Sequence, residues 1–299
     1  MLRRYFAQRL ELAYLEWGNP ENPPLILLHG GRDHARSWDR FARELAADWR
    51  VICPDMRGHG DSAWSPDAAY GLENMVLDLA GLIDLLGLTQ VALVGHSLGG
   101  NVCLRYAGIW PEKVTRLVSI EGIGPSPQAR AERDATPIAE RFRAWASERN
   151  AGFAKAPRLF DNMADARQRM RAAHPRLSEE DVDHLTVHAL RGTDDGRWQW
   201  KFDPLLSANA PVDLGHAQMR ELWNAIACPV LLFWGEESWA SNPAEDGRAA
   251  YFRDARVVAV PGAAHWLHYD RPELFIAELR AFLAITPPSA PREHPASSG

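Results

Sequence analysis

Cysteine is scarce. The 299 residues hold three, Cys53, Cys103 and Cys228, an odd number with no paired spacing. That excludes a disulfide framework and reads as buried free thiols in a reducing compartment. No stretch approaches the roughly 18 consecutive apolar residues of a membrane-crossing helix. Arg3 and Arg4 are followed by Arg9, Glu11 and Glu16 too soon to leave the apolar region of a secretory leader. Positive charge is in deficit: 33 Lys and Arg against 39 Asp and Glu give a net charge of −6, with no surplus to neutralise phosphates. A general nucleic-acid binder is thereby excluded. There is no internal repeat. These absences lead us to expect a soluble cytoplasmic protein with neither nucleic acid nor membrane as partner.

What is present is ordinary for a globular chain. Hydrophobic residues make up 46% and charged residues 24%, which rules out wholesale disorder. The length suits two domains, or one large α/β domain carrying an insertion. Short apolar runs at 25–29, 51–54, 91–94 and 117–120 read as strands buried on both faces of a parallel sheet. Helical spacing fills 35–47, 73–86 and 101–109 between them, with Gly87 as a stop, and residues 10–17 alternate like an antiparallel edge strand. From 125 to about 226 the strand signal fades into charged helical pieces; 198–202 alternates but is short. Strand-like runs return at 229–234 and 256–260, before a last helix over 272–283. We therefore expect a doubly wound, mostly parallel sheet domain (1–124 and 227–285) interrupted by a helical cap (125–226). The tail at 286–299 holds four prolines and is expected to be disordered.

Gly95-His96-Ser97-Leu98-Gly99 follows one of these strand-like runs and precedes a helical stretch. In isolation it could be a chance Gly/Ser turn. In this context it is the Gly-x-Ser-x-Gly turn, whose small residues let the chain bend sharply enough to lift a serine hydroxyl clear of the sheet. Such a hydroxyl needs a base. His265, just past the last strand, lies on the same sheet edge and is the candidate; His268 is the fallback. Acyl chemistry also needs donors for a developing oxyanion, and the backbone N–H groups of Gly31 and Leu98 are placed to serve. His29 braces that loop. The pair His265-x-x-His268 finds no third ligand, so neither metal nor organic cofactor is expected.

The stretches 25–38, 55–62 (Asp-Met-Arg-Gly-His-Gly-Asp-Ser), 95–100, 229–235 and 262–275 together resemble the α/β-hydrolase superfamily, in its capped branch. The resemblance spans the sheet domain; the cap matches by position only. It implies a doubly wound, mostly parallel, eight-stranded α/β-hydrolase sheet and an enzyme, with 55–62 a structural turn without chemistry. Haloalkane dehalogenases and capped epoxide hydrolases of this branch attack with a carboxylate where Ser97 stands. An alcohol nucleophile points instead to esters, thioesters or lactones. The expected activity is that of a carboxylesterase-type serine hydrolase on a small hydrophobic acyl substrate. The alternatives are a carbon–carbon bond hydrolase or cofactor-free lyase or perhydrolase on the same residues, or a non-catalytic binding member.

In one place the chain departs from the family. Most relatives carry an Asp three residues after the Gly that ends the penultimate strand; here that position is Ser238. Glu121, at the end of the run 117–120, is the leading substitute, because some haloalkane dehalogenases carry their acid after this strand. Glu237 is the alternative. Trp38, Trp239 and Trp266 are the expected aromatic wall of the substrate pocket. Residues 125–175 carry ten basic and six acidic side chains, and we expect a solvated helical face there.

Overall fold

Leu25 and Leu27 turn to one face of the central sheet and Ile26 and Leu28 to the other, all of them buried. A strand apolar at every position has no solvent face, so layers must cover both sides. The computed structural model describes residues 1–207 and 211–284, and shows how. The elements run β1 (Leu2–Ala7), β2 (Leu10–Trp17), β3 (Pro24–Leu28), α1 (Asp39–Leu45), β4 (Arg50–Pro54), α2 (Leu72–Leu85), β5 (Val91–His96), α3 (Leu98–Ile109) and β6 (Val114–Ile120). An inserted segment comes next, with α4 (Pro127–Ala135), α5 (Ile138–Ala154), β7 (Leu159–Phe160), α6 (Met163–Ala173), α7 (Glu179–Ala189), β8 (Leu190–Gly192), β9 (Trp198–Trp200) and α8 (His216–Ala225). The chain returns through β10 (Val230–Gly235), β11 (Ala255–Val260), α9 (Leu267–Asp270) and α10 (Pro272–Ala284).

The eight-stranded sheet has the order β1-β2-β4-β3-β5-β6-β10-β11. The β1–β2 and β2–β4 pairs are antiparallel, and every other pair is parallel. This is the α/β-hydrolase fold that the sequence led us to expect; the strand over 10–17 is antiparallel with the expected bounds, but it lies second from the edge, between β1 and β4. Pairing register decides where the central strands stop. Leu28 pairs with Gly95, His96 with Ile120, and Ile120 with Phe233. The carboxyl ends of β3, β5, β6 and β10 therefore finish level on one edge, where side chains far apart in sequence meet.

Three details differ from the sequence reading. The strand β1 went unforeseen, since only Tyr5 and Ala7 of it are buried. The helix expected over 35–47 is a 3-10 turn, Ala35–Trp38, leading into the shorter α1. The inserted segment is not purely helical, because β7, β9 and β8 form a small antiparallel sheet. Its helices are capped as the physics asks: Ser126, Asn162 and Ser178 accept hydrogen bonds from N–H groups that α4, α6 and α7 would otherwise leave unpaired. The tail expected at 286–299 lies outside the described residues.

Candidate active site

Ser97 sits between β5 and α3 with φ 51° and ψ −112°, a conformation an L-residue adopts only under constraint. Its neighbours supply that constraint. A Cβ on Gly95 would stand 2.4 Å from the backbone of Gly99, and one on Gly99 would stand 2.5 Å from the Leu28 carbonyl oxygen. Only glycine fits at either place, so α3 can press against β3 and β5. The Ser97 N–H donates to the Ile120 carbonyl at 2.8 Å, tying the turn to β6.

The hydroxyl of Ser97 lies 3.0 Å from His265 Nε2. On the far side of the ring, His265 Nδ1 lies 3.4 Å from Glu121 Oε2. The Glu121 side chain is fully buried and accepts two more hydrogen bonds, from the Gly235 N–H at 2.7 Å and the Ser238 hydroxyl at 2.6 Å. Glu121 also takes positive φ, 53°, as the chain leaves β6. Its N–H donates to the Phe233 carbonyl at 3.1 Å, so the β6–β10 pairing runs on to the last residue before the turn. A buried carboxylate with three donors is oriented and electrostatically complemented.

His96 escaped the sequence reading, which saw only a variable position inside the serine motif. It is buried, and burial holds its ring neutral, with a pKa well below the usual range. Its Nε2–H donates to the His265 carbonyl at 2.9 Å and so fixes the backbone of His265. The available signal was a titratable side chain on a strand that is otherwise apolar. His29 braces its loop: its Nε2 accepts from the Met56 N–H at 3.0 Å, and its Nδ1 bonds the Gly30 carbonyl at 2.7 Å. Asp55 likewise serves structure, accepting from the Ala35 and Asp61 N–H groups at 2.6 and 2.9 Å.

The remaining candidates separate clearly. His268 is buried beside Trp38, Phe41 and Phe275, with its pKa pushed down to about 3 by desolvation and then by the nearby His265. It packs in the core, and the serine meets His265 instead. Glu237 is exposed and paired with Arg176, whereas the His265 imidazole meets Glu121. Trp38, expected on the pocket wall, is instead 1% exposed and stacked on His268 in the core. Trp239 is 81% exposed, with its ring 4.9 Å from that of His265. Trp266 lines a cavity of about 1110 Å³ between the sheet edge and the inserted segment. Gly31 lines the same cavity. Leu98 is the first residue of α3, so its N–H has no partner within the helix and is free for an oxyanion.

One group among the described residues has metal-ligand spacing: Asp39, His184 and His188 offer atoms within 4.8 Å of one another. The carboxylate is already engaged, with Arg36 at 3.2 Å and Arg43 at 3.3 Å on its Oδ2, and His184 Nε2 bonds the Arg36 carbonyl at 3.0 Å. Two guanidiniums on one carboxylate make this an ion-pair network between α1 and α7.

A family model for the alpha/beta hydrolase fold matches residues 23–272. The chain belongs to that family and is an enzyme of the hydrolase type. It is similar to the 3-hydroxybutyrate-oligomer hydrolase of Cupriavidus necator, 31% identical over 238 residues that cover 76% of this chain and 77% of the relative. It is also similar to the sn-1-specific diacylglycerol lipase ABHD11 of Mus musculus, 29% identical and covering 92% and 86%. Among solved structures, a hypothetical protein of Pseudomonas aeruginosa PAO1 superposes with a TM-score of 0.80 at 27% identity, covering 95% of this chain and 99% of that one.

Proposed function

We propose that the chain is a serine hydrolase that cleaves a carboxylic ester, or a related acyl bond, through an acyl-enzyme on Ser97. The observation that carries this reading is the 3.0 Å contact of the Ser97 hydroxyl with His265 Nε2, continued through Nδ1 to buried Glu121. The base is within proton-transfer distance, and the carboxylate holds the tautomer in which Nε2 is free to accept.

This arrangement dictates the steps. The Ser97 oxygen attacks the acyl carbonyl as its proton passes to His265 Nε2. The carbonyl oxygen becomes an oxyanion and leans on the N–H groups of Gly31 and Leu98. The imidazolium is stabilised by Glu121, then gives its proton to the leaving alcohol as the carbon–oxygen bond breaks. Water attacks the acyl-enzyme with His265 again as base and frees the acid. No cofactor enters. The inserted segment, lying over the carboxyl edge of the sheet, acts as a cap that walls the acyl cavity. Named hydrolases and esterases among the relatives support the reaction class.

The test is covalent labelling with a fluorophosphonate, together with turnover of short p-nitrophenyl esters. We expect labelling that vanishes in Ser97→Ala, and ester turnover by the unmodified enzyme. An unlabelled Ser97 would overturn the reading in favour of a binding protein. Labelling with turnover of a β-diketone but of no ester would transfer the same residues to carbon–carbon bond hydrolysis.

A further inference from the structure

The charge of the cavity wall runs against that of the molecule. The chain as a whole is acidic, with net charge −6. Yet the wall over the oxyanion loop carries Arg32, Lys155, Arg158 and Arg169, against only Glu148 and Asp33. Asp33 is only partly ionised at neutral pH, since burial pushes its pKa up to about 7.

The arrangement on α6 sharpens the point. Arg167 pairs with Asp183 and Glu179, and Arg171 pairs with Glu179. Arg169, between them in sequence, lines the cavity instead and makes no ion pair among the described residues. Lys155 and Arg158 likewise make none. An acidic chain with carboxylates to spare has thus left three cations unpaired on one concave surface, and has neutralised their sequence neighbours. All three are exposed, as expected of the solvated face over 125–175, and they border one cavity. The rest of the lining is largely apolar, with Met170, Leu185, Trp200, Phe202 and Trp266. The histidines among it, His34 and His174, are held below their ordinary pKa by desolvation and supply no fixed charge at neutral pH.

Resting on the serine-hydrolase reading, we infer that the substrate is an amphipathic acyl compound: an apolar body lies along the aromatic lining, and an anionic group, carboxylate or phosphate, meets Lys155, Arg158 and Arg169. Fixed cations lining a cleft concentrate an anion there and steer its approach, because the cleft walls focus the field. Each cation is partly solvated, so each pair contributes modestly, but several converge on one ligand group. The anion belongs either to the acyl part or to the leaving group.

Two matched pairs of substrates separate these sources. The monoanionic p-nitrophenyl hydrogen suberate against its neutral methyl ester tests an acyl-side anion. Octanoyl-coenzyme A against octanoyl-N-acetylcysteamine tests a leaving-group anion. We expect the anionic member of at least one pair to show roughly tenfold higher kcat/KM, carried by KM. The preference should shrink as NaCl rises towards about 0.5 M, where screening is strong. The combined variant Lys155→Gln, Arg158→Gln, Arg169→Gln should bring the ratio close to one. Arg143→Gln, on the exposed surface of α5 and outside the cavity lining, should leave it unchanged. Equal handling of both members in both pairs overturns the inference and leaves the hydrolase reading standing. So does a preference that survives the combined variant, or fluorophosphonate labelling without turnover of any of the four compounds. Absence of both labelling and turnover overturns the hydrolase reading, and this inference with it.

Discussion

Ser238 donates a 2.6 Å hydrogen bond to Glu121 Oε2, the same oxygen that faces His265 Nδ1. Ser238 occupies the loop position where most α/β-hydrolases carry their acid, and here it orients the carboxylate of Glu121. Glu121 can reach because β6 and β10 are adjacent and in register up to Ile120 and Phe233. A carboxylate leaving the end of β6 then projects into the space that an Asp on the β10 loop would fill. Removing its charge while keeping its shape should be severe. Glu121→Gln is expected to lower kcat by about 10³–10⁴ with the fold intact, as loss of the acid does in comparable triads. Glu237→Gln, which loses only an exposed pair with Arg176, should change kcat by less than about twofold. Steady-state kinetics on both variants would decide, and the reverse ranking would refute the assignment.

If positions 121 and 238 serve the same imidazole, the carboxylate should be transferable between them. Ser238→Asp in the Glu121→Gln background is expected to recover at least about tenfold in kcat over Glu121→Gln alone, because a charged partner again faces Nδ1. Ser238→Asp alone should be impaired. It sets two carboxylates side by side in a buried place, where one must take up a proton and the hydrogen-bond pattern changes. A double variant no faster than Glu121→Gln would show that the loop cannot present an acid to His265.

The residues that meet at the sheet edge were legible because each is fixed locally. A tight serine turn writes its glycines into the sequence, and the ends of apolar runs mark which residues share the sheet edge. Ser97 and His265 came from that alone; Glu121 also drew on the resemblance to dehalogenases. Trp38 was misplaced: a tryptophan after a glycine-rich loop reads the same whether it faces a pocket or, as here, stacks on His268. Strands of two or three residues, such as Leu159–Phe160, are too short to show alternation. The cationic wall was hidden for a different reason. Arg167, Arg169 and Arg171 look alike in sequence, and only the packing of α6 on α7 decides which of them meet Glu179 and Asp183.

Close approach at the serine turn makes a sharp prediction about stability. A methyl group at position 99 would meet the Leu28 and His29 carbonyl oxygens at 2.5 and 2.6 Å and the Leu28 side chain at 2.7 Å. Backbone oxygens of a central strand cannot withdraw without breaking sheet pairing. Gly99→Ala should therefore cost about 2–4 kcal/mol, at or above the usual range for overpacking. At Gly31 the same methyl group would meet nothing closer than a Leu98 methyl carbon at 3.9 Å, so Gly31→Ala should fold normally. Denaturant midpoints of the two variants would check this, and equal midpoints would show that α3 has room to shift.

The buried histidines set the acid side of the stability curve. His268 has its folded pKa pushed down to about 3 by burial and by the neighbouring His265, against about 6.5 in an unfolded chain. Between these values the unfolded state binds a proton that the folded state refuses. Stability is thus lost as pH falls from about 6.5 towards 3, and the loss from this one group at pH 5 is about 2 kcal/mol. Asp33 works the other way: its raised folded pKa of about 7 makes the folded state hold the extra proton, so its contribution declines as pH climbs from about 4 to 7. A plain pH scan mixes the two. Comparison with His268→Phe isolates the histidine, because Asp33 is present in both proteins and a phenyl ring suits the aromatic stack with Trp38 and Phe275. The Tm of the variant minus that of the parent should be smallest near pH 7.5 and grow by several degrees as pH falls to 5. A difference that stays flat across this range would mean that His268 accepts its proton in the folded state, and the acid lability would have to come from the other buried histidines: His34 and His59, whose pKa values burial lowers to about 3 and about 4, and His29 and His96, which burial also holds well below the usual range.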